Sequence, residues 1–264
     1  SGVTQINILV GTIIASFQAS AVSYLYYADR IYQINLAIAG IAIGTVILPN
    51  LSRYIKTSNN EKIDFIQNKA FELCLFLSLP ASFALLVGSY EITSALFGYG
   101  AFDAISVSNS AMALYYFALG LPAFAIIKVF STFLFARDNT KTPFYYSLIS
   151  VIINISISLL FFNKVGFLII PIATSISSWV NALLLFFTLY SKKYFNFSSI
   201  FNFTILKIFL ISITTIYFFK VLLNSFGGYL IYESELKIYT IIILVVITII
   251  IYILLSFLTK TFKY

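Results

Sequence analysis

The chain has 264 residues, of which 61% are hydrophobic and only 9% are charged. A soluble domain is about half apolar and a quarter charged, so this composition excludes a water-soluble fold and makes lipid the solvent. The net charge of +7 comes from basic residues scattered between apolar runs. Scattered cations do not form the basic patch that nucleic acid requires, so we expect no nucleic-acid partner.

Eight apolar stretches follow one another along the chain, each close to the roughly 20 residues that a spanning helix needs. They cover about 4–20, 21–48, 68–89, 106–135, 143–162, 167–190, 203–223 and 239–258. The second is expected to end at Pro49, because proline interrupts helices. The sequence therefore predicts an all-α, polytopic membrane protein with about eight transmembrane helices.

The last two stretches differ in composition from the first six. They consist almost entirely of Ile, Leu, Phe, Val and Tyr, whereas the first six are richer in Gly, Ala, Ser and Asn. Small and weakly polar residues allow helices to pack closely in lipid. We therefore predict a packed six-helix lobe over residues 1–195 and a peripheral, lipid-facing helix pair over residues 196–264.

The charges between the stretches alternate along the chain. Cations dominate after the second, fourth, sixth and eighth stretches: Arg53, Lys56, Lys62, Lys69, Arg137, Lys141, Lys192, Lys193, Lys260 and Lys263. The other connections carry Glu91, Asp103, Lys164, Glu233, Glu235 and Lys237. Because Lys and Arg accumulate on the cytoplasmic side, both ends of the chain are predicted to be cytoplasmic.

The second stretch contains polar residues that a lipid-facing helix would not tolerate. Asp29 and Arg30 lie several residues inside it, and Tyr26, Arg30 and Gln33 share one helix face by their spacing. An intramembrane arginine normally faces a bundle interior or a watery cavity. We interpret this face as a cationic, hydrogen-bonding stripe suited to phosphate. The alternative is a structural ion pair of Asp29 with Arg30 or with another helix, or an interfacial pair.

Two further polar features lie in later stretches. Lys128 follows Pro122 in an apolar run, too deep for its amine to reach the interface easily, so it is a second candidate for the cavity lining. Asn154 and Ser158 are one helical turn apart, and Thr174 belongs to a cluster of hydroxyl residues. Such residues most often serve interhelical hydrogen bonding, with an ion site as the alternative.

The residue inventory argues against an enzyme. The chain has no histidine, which removes imidazole chemistry, His-ligated metal sites and Ser-His-Asp triads. Its one cysteine, Cys74, cannot form an internal disulfide and lies in an apolar run typical of helix packing. Because no glycine-rich phosphate loop or metal-ligand spacing occurs either, we expect no catalysis, no cofactor and no metal site.

Several segments together resemble the MurJ (MviN) family of lipid II flippases, within the multidrug, oligosaccharidyl-lipid and polysaccharide exporter superfamily. They are Gly2-Val-Thr-Gln-Ile-Asn7, Tyr26-Tyr-Ala-Asp-Arg30, Gly40-Ile-Ala-Ile-Gly-Thr45, Leu96-Phe-Gly-Tyr-Gly100, Phe135-Ala-Arg-Asp138, Lys141-Thr-Pro143 and Ala173-Thr-Ser175. The resemblance extends over about residues 1–190. It implies a family fold of fourteen helices, two six-helix lobes and two extra helices, of which this chain would be the second lobe and the final pair. The N-terminal lobe of the same protein is then a missing partner.

The resemblance also implies roles for individual residues. The family's cavity arginine in this lobe falls on Arg30, a polar or acidic family position falls on Gln33, and a family lysine falls on Lys128. Asn154 and Thr174 match positions of a sodium site found in some members. Gly11 and Ser158 stand where that site has carboxylates, so sodium coupling is in doubt here.

The function implied is transport of lipid II, the undecaprenyl-pyrophosphate-linked peptidoglycan precursor, from the inner to the outer leaflet of the bacterial inner membrane by alternating access. The other expected partners are membrane lipids. Two alternatives stay open. One is an exporter of the same fold for another lipid-linked oligosaccharide or a drug, and the other is a membrane scaffold that does not transport.

Overall fold

The computed structural model describes residues 2–196 and 203–261, and within them the side chains at 2–4, 36 and 38–46 lie outside the description. Its helices are α1 (Gly2–Ala15), α2 (Ala21–Lys56), α3 (Asn60–Phe97), α4 (Ala104–Phe135), α5 (Lys141–Val165), α6 (Ile169–Ser191), α7 (Phe203–Ser225), the single-turn α8 (Gly227–Leu230) and α9 (Lys237–Leu258). A 3₁₀ turn, Gly166–Leu168, joins α5 to α6. The described ranges contain no strand, which confirms the all-α prediction.

Five described segments are long and apolar enough to cross a membrane, which agrees with a polytopic membrane protein. They are Asn60–Phe97, Ala104–Phe135, Lys141–Ser191, Phe203–Ser225 and Lys237–Leu258, the third of which contains both α5 and α6. α2 exceeds the spanning length with 36 residues. α1 has 14 residues, which is roughly 21 Å of helix. The predicted first span over 4–20 was too long, because the helix stops at Ala15 and the chain turns at Ser20, whose φ is 62°.

The expected end of α2 at Pro49 was wrong. The helix continues through Pro49 to Lys56, and α3 begins at Asn60 rather than near residue 68. Both extensions have an apolar side that packs in the core, with Leu51 fully buried and Ile63 nearly so. The Asn59 side chain accepts a hydrogen bond from the Lys62 amide (3.1 Å) and caps α3. Packing and capping therefore extend both helices beyond the apolar run.

α4 is the central helix of the first six, because it packs against α2, α3 and α6. Gly120 permits its close approach to α6: a Cβ there would lie 2.8 Å from Ser175 Oγ and 3.0 Å from Ser175 Cα. Pro122 has no N–H for the Ala118 carbonyl one turn earlier. Ser82 of α3 donates to that carbonyl instead (2.7 Å). The helix break is thus compensated from a neighbouring helix, as a membrane interior requires.

The last helices pack mainly on α3. Phe219 and Leu223 of α7 and Ile241 and Leu244 of α9 form a buried cluster with Ala95 of α3. At Gly88, where α3 is kinked, an added Cβ would lie 2.9 Å from the Phe219 ring. The outer sides of α7 and α9 carry many exposed large apolar side chains. These faces are suited to contact with lipid.

Candidate functional site

The α2 residues singled out from the sequence lie together on an exposed side of the helix. The Arg30 guanidinium carbon stands 4.5 Å from the centroid of the Tyr26 ring, and both side chains are exposed. Gln33 donates a hydrogen bond from Nε2 to the Asp29 carboxylate. We call this group, Tyr26, Asp29, Arg30 and Gln33, the α2 polar face.

Asp29 and Arg30, both within the described residues, do not form a salt bridge with each other. Asp29 is instead occupied by Gln33, one turn further along. The guanidinium of Arg30 meets no hydrogen-bond acceptor in the described part of the chain and rests on the Tyr26 ring. Stacking of this kind orients the planar cation while its N–H groups remain available. The arrangement differs from an Asp29–Arg30 ion pair, which was one of the alternative interpretations.

The opposite side of α2 anchors the polar face to the lobe. Ala28, Ile31 and Tyr32 are buried. The Tyr32 ring stacks on Phe117 (centroids 5.5 Å apart) and meets Phe124 edge-on (5.6 Å), both in α4. Because this side is fixed in the core, the polar face points outward from the lobe.

Lys128 does not join the α2 polar face. Its side chain is exposed on α4, whose surrounding residues Ala125 and Val129 are fully buried. It lies one turn beyond Phe124, the partner of Tyr32, which is about 6 Å of helix rise. The part of α4 around Lys128 packs with the far end of α2 near Leu51, whereas Arg30 lies near the start of α2. The two cations therefore occupy different levels along the helix bundle.

The third predicted group is a neutral network between α5 and α6. Asn154 Nδ2 donates to Thr174 Oγ1 (2.9 Å), Ser158 Oγ donates to Asn154 Oδ1 (3.4 Å), and Thr174 Oγ1 donates to the Ile170 carbonyl (2.8 Å). Asn154 and Ser158 are buried. Gly11 lies beside this region, since a Cβ there would be 3.7 Å from Ile170 Cγ2.

This network differs from the sodium site whose positions Asn154 and Thr174 match, because it includes no carboxylate. Its oxygens are neutral and engaged with one another, whereas such a site uses carboxylates for affinity. The described residues also contain no group of three or more His, Cys, Asp or Glu side chains able to hold a metal ion. The geometry corresponds to interhelical hydrogen bonding.

The structure adds two residues that the sequence did not single out. Tyr27 packs its ring against Phe97 (centroids 4.8 Å apart) at the end of α3 and against Phe102 (4.6 Å) in the following loop. Lys237, which the sequence suggested was a loop cation, is 2% exposed at the start of α9. Neither residue could have been found from its local sequence. The ring contacts of Tyr27 join distant parts of the chain, and a lysine is ordinarily expected to be exposed.

Comparison with known proteins gives a consistent family. Residues 1–241 match the family model described as lipid II flippase MurJ. The chain is 46% identical over 188 residues to the probable lipid II flippase MurJ of Rhizobium meliloti strain 1021, an alignment covering 71% of this chain and 35% of that protein. It is 40% identical over 186 residues to the corresponding protein of Rickettsia prowazekii strain Madrid E, covering 70% and 37%.

A solved structure of lipid II flippase MurJ in an inward closed conformation superposes with a TM-score of 0.77 at 28% identity. The match covers 96% of this chain and 50% of that one. The chain thus spans 35% and 37% of the two curated relatives and half of the solved structure. These matches confirm the predicted resemblance, and the chain belongs to the MurJ family of lipid II flippases.

Proposed function

We propose that this chain is one lobe (residues 1–195) and the final helix pair (196–264) of a lipid II flippase. In this account the N-terminal lobe of the same protein completes the transporter. The protein moves the undecaprenyl-pyrophosphate-linked precursor from the inner to the outer leaflet of the bacterial inner membrane. The lobes rock about a shared cavity, with transport and no covalent catalysis.

The observation that carries this proposal is Arg30 stacked on Tyr26, on the outward side of α2. A guanidinium offers a planar fork of donors that can engage two oxygens of a pyrophosphate. Its partner ring holds it without neutralising its charge, and Gln33 occupies the neighbouring carboxylate. An anion arriving at this face meets a cation that has no competing ion pair with Asp29.

Lys128 provides a second cation for the same anionic substrate at another level along α4. Several weak contacts along a membrane pathway let a charged substrate both enter and leave it. Lysine is a mobile point charge on a flexible stem, whereas stacked arginine is oriented. We propose that Arg30 holds the pyrophosphate in one state of the cycle and that Lys128 meets it in another.

The proposed orientation has both ends in the cytoplasm. Support comes from the basic connections, which meet at one end of the molecule: Arg137 Nη2 and Gln67 Nε2 both donate to the Tyr194 carbonyl (2.8 and 3.1 Å). These contacts bring the start of α3 and the chain segments after α4 and α6 together. A concentration of Lys and Arg at one end supports a cytoplasmic assignment of that end.

The rival exporters of the same fold would keep the polar face and differ in substrate. The deciding experiment places the complete two-lobed transporter containing this chain in a strain depleted of its own flippase. Growth and restored labelling of outer-leaflet lipid II support the proposal. Normal membrane abundance without outer-leaflet lipid II would reject lipid II as the substrate.

A further inference from the structure

Lys237 is a buried cation that joins two distant loops. Its amine donates to the carbonyl of Gly98 and to that of Tyr232, each at 2.6 Å. The amine also lies 4.3 Å from the centroid of the Tyr99 ring and 4.6 Å from that of Tyr232. Carbonyl dipoles and π faces thus compensate a charge that is only 2% exposed.

A second hydrogen bond joins the segment before α9 to the α3–α4 loop. Tyr232 Oη donates to the Phe102 carbonyl (3.0 Å). The segment before α9 is therefore bound to the α3–α4 loop at Gly98, where α3 ends, and at Phe102. Gly98 has no substitute here, because a Cβ would lie 2.6 Å from the Ser94 carbonyl oxygen.

The α3–α4 loop in turn supports α2. Phe97 and Phe102 contact each other (6.4 Å) and both pack against the Tyr27 ring, at 4.8 and 4.6 Å. Tyr27 meets Tyr26 edge-on at 5.6 Å, and Tyr26 supports the Arg30 guanidinium. A continuous series of contacts therefore runs from the start of α9 to the cation of the α2 polar face.

We propose that Lys237 is a positioning residue for substrate binding, which fixes Tyr26 and Arg30 through the α3–α4 loop and Tyr27. The inference rests on the proposed function and extends it to the C-terminal helices. The C-terminal helices would then set the geometry of the α2 polar face in addition to contacting lipid.

Lys237 can be removed without detaching the helices themselves. α9 is also held by Tyr252 Oη, which donates to the Phe76 carbonyl (2.8 Å), and α7 by Phe219, which packs at Gly88. Lys237→Met retains the length of the side chain and removes its charge and donors. Lys220→Met, on the exposed side of α7, is the matched control.

The first readout is the mobility of a nitroxide attached at Ile34→Cys, an exposed position one turn after Arg30, in a Cys74→Ala background of the complete transporter. Lys237→Met should raise the mobile fraction by about threefold, the scale of a modest energetic coupling, and Lys220→Met should leave it unchanged. Equal mobility in both variants, with normal thermal stability, would overturn the inference. This arm needs no lipid II, so unchanged mobility overturns the inference even if the substrate is different.

The second readout is a double-mutant cycle on transport with Tyr27→Leu. If Lys237 acts through Tyr27, each single variant should slow transport by about fivefold and the double variant should be no slower than either. Multiplying effects would mean independent structural damage and would overturn the inference. A mobility change without any loss of transport would also reject the positioning role.

Discussion

The Tyr252 phenol of α9 donates a 2.8 Å hydrogen bond to the Phe76 carbonyl of α3. Four residues later in the same helix stands Pro80, which has no N–H to donate to that carbonyl. The C-terminal helices therefore complete the backbone hydrogen bonding of the lobe as well as covering it. Ser82 performs the same task for Ala118 and Pro122 in α4.

Tyr252→Phe should destabilise the protein, because it removes the hydrogen bond that the Phe76 carbonyl accepts inside the helix bundle. The expected loss in the free energy of unfolding is about 0.5–1.5 kcal/mol, the net contribution of a typical hydrogen bond. Thermal unfolding in detergent measures it, with Tyr239→Phe, an exposed tyrosine of the same helix, as the control. In a Pro80→Ala background the loss should shrink, since a helix N–H then reaches the carbonyl. An unchanged loss there would contradict the explanation.

Gly120→Ala should weaken the contact of α4 with α6. The added Cβ would lie 2.8 Å from Ser175 Oγ and 3.0 Å from Ser175 Cα, so backbone must move. Overpacking of this kind costs about 1–3 kcal/mol. Gly11→Ala is the matched control, because its nearest neighbour would be at 3.7 Å, an ordinary contact. Equal melting temperatures for the two variants would show that the close approach of α4 and α6 does not limit stability.

The loops at opposite ends of the helices should lie on opposite sides of the membrane. Cysteines placed at the exposed positions Thr57 and Thr140 should resist an impermeant thiol reagent in whole cells. Cysteines at Ala101 and Glu235, also exposed, should react, because these loops lie at the opposite end. Permeabilised cells provide the control for reactivity. Labelling of the first pair in intact cells would reverse the proposed orientation.

Transport should not depend on sodium. Asn154 is hydrogen-bonded to both Ser158 and Thr174, and this neutral network includes no carboxylate. Replacing Na⁺ by K⁺ at constant ionic strength should leave the rate of lipid II translocation in proteoliposomes unchanged. A rate that rises with Na⁺ concentration and is lost in Thr174→Val would instead assign an ion site to this network.

Different parts of the molecule were predictable to different degrees. Composition alone predicted a membrane protein, and helical spacing alone predicted that Tyr26 and Arg30 share a face. Both predictions were possible because these properties depend only on composition and local pattern. The extension of α2 past Pro49 was missed, since burial of Leu51 outweighs the signal of a proline. Lys237 was missed for another reason. Its acceptor at Gly98 is 139 residues away, and only the folded chain brings them together.

The central claim is that Arg30 binds the pyrophosphate of lipid II. It is tested most directly by the affinity of the purified complete transporter for lipid II, measured for the unchanged protein, Arg30→Lys, Arg30→Gln and Arg30→Ala. Lysine keeps the charge without the planar fork, and glutamine keeps polarity without the charge.

We expect all three variants to reach normal abundance in the membrane, because removal of an intramembrane charge does not hinder insertion. Arg30→Ala and Arg30→Gln should bind at least about tenfold more weakly, the scale of a charge-assisted hydrogen bond, with Arg30→Lys between them and the unchanged protein. Lipid II affinity equal to that of the unchanged protein in an abundant, folded Arg30→Ala variant would contradict the account.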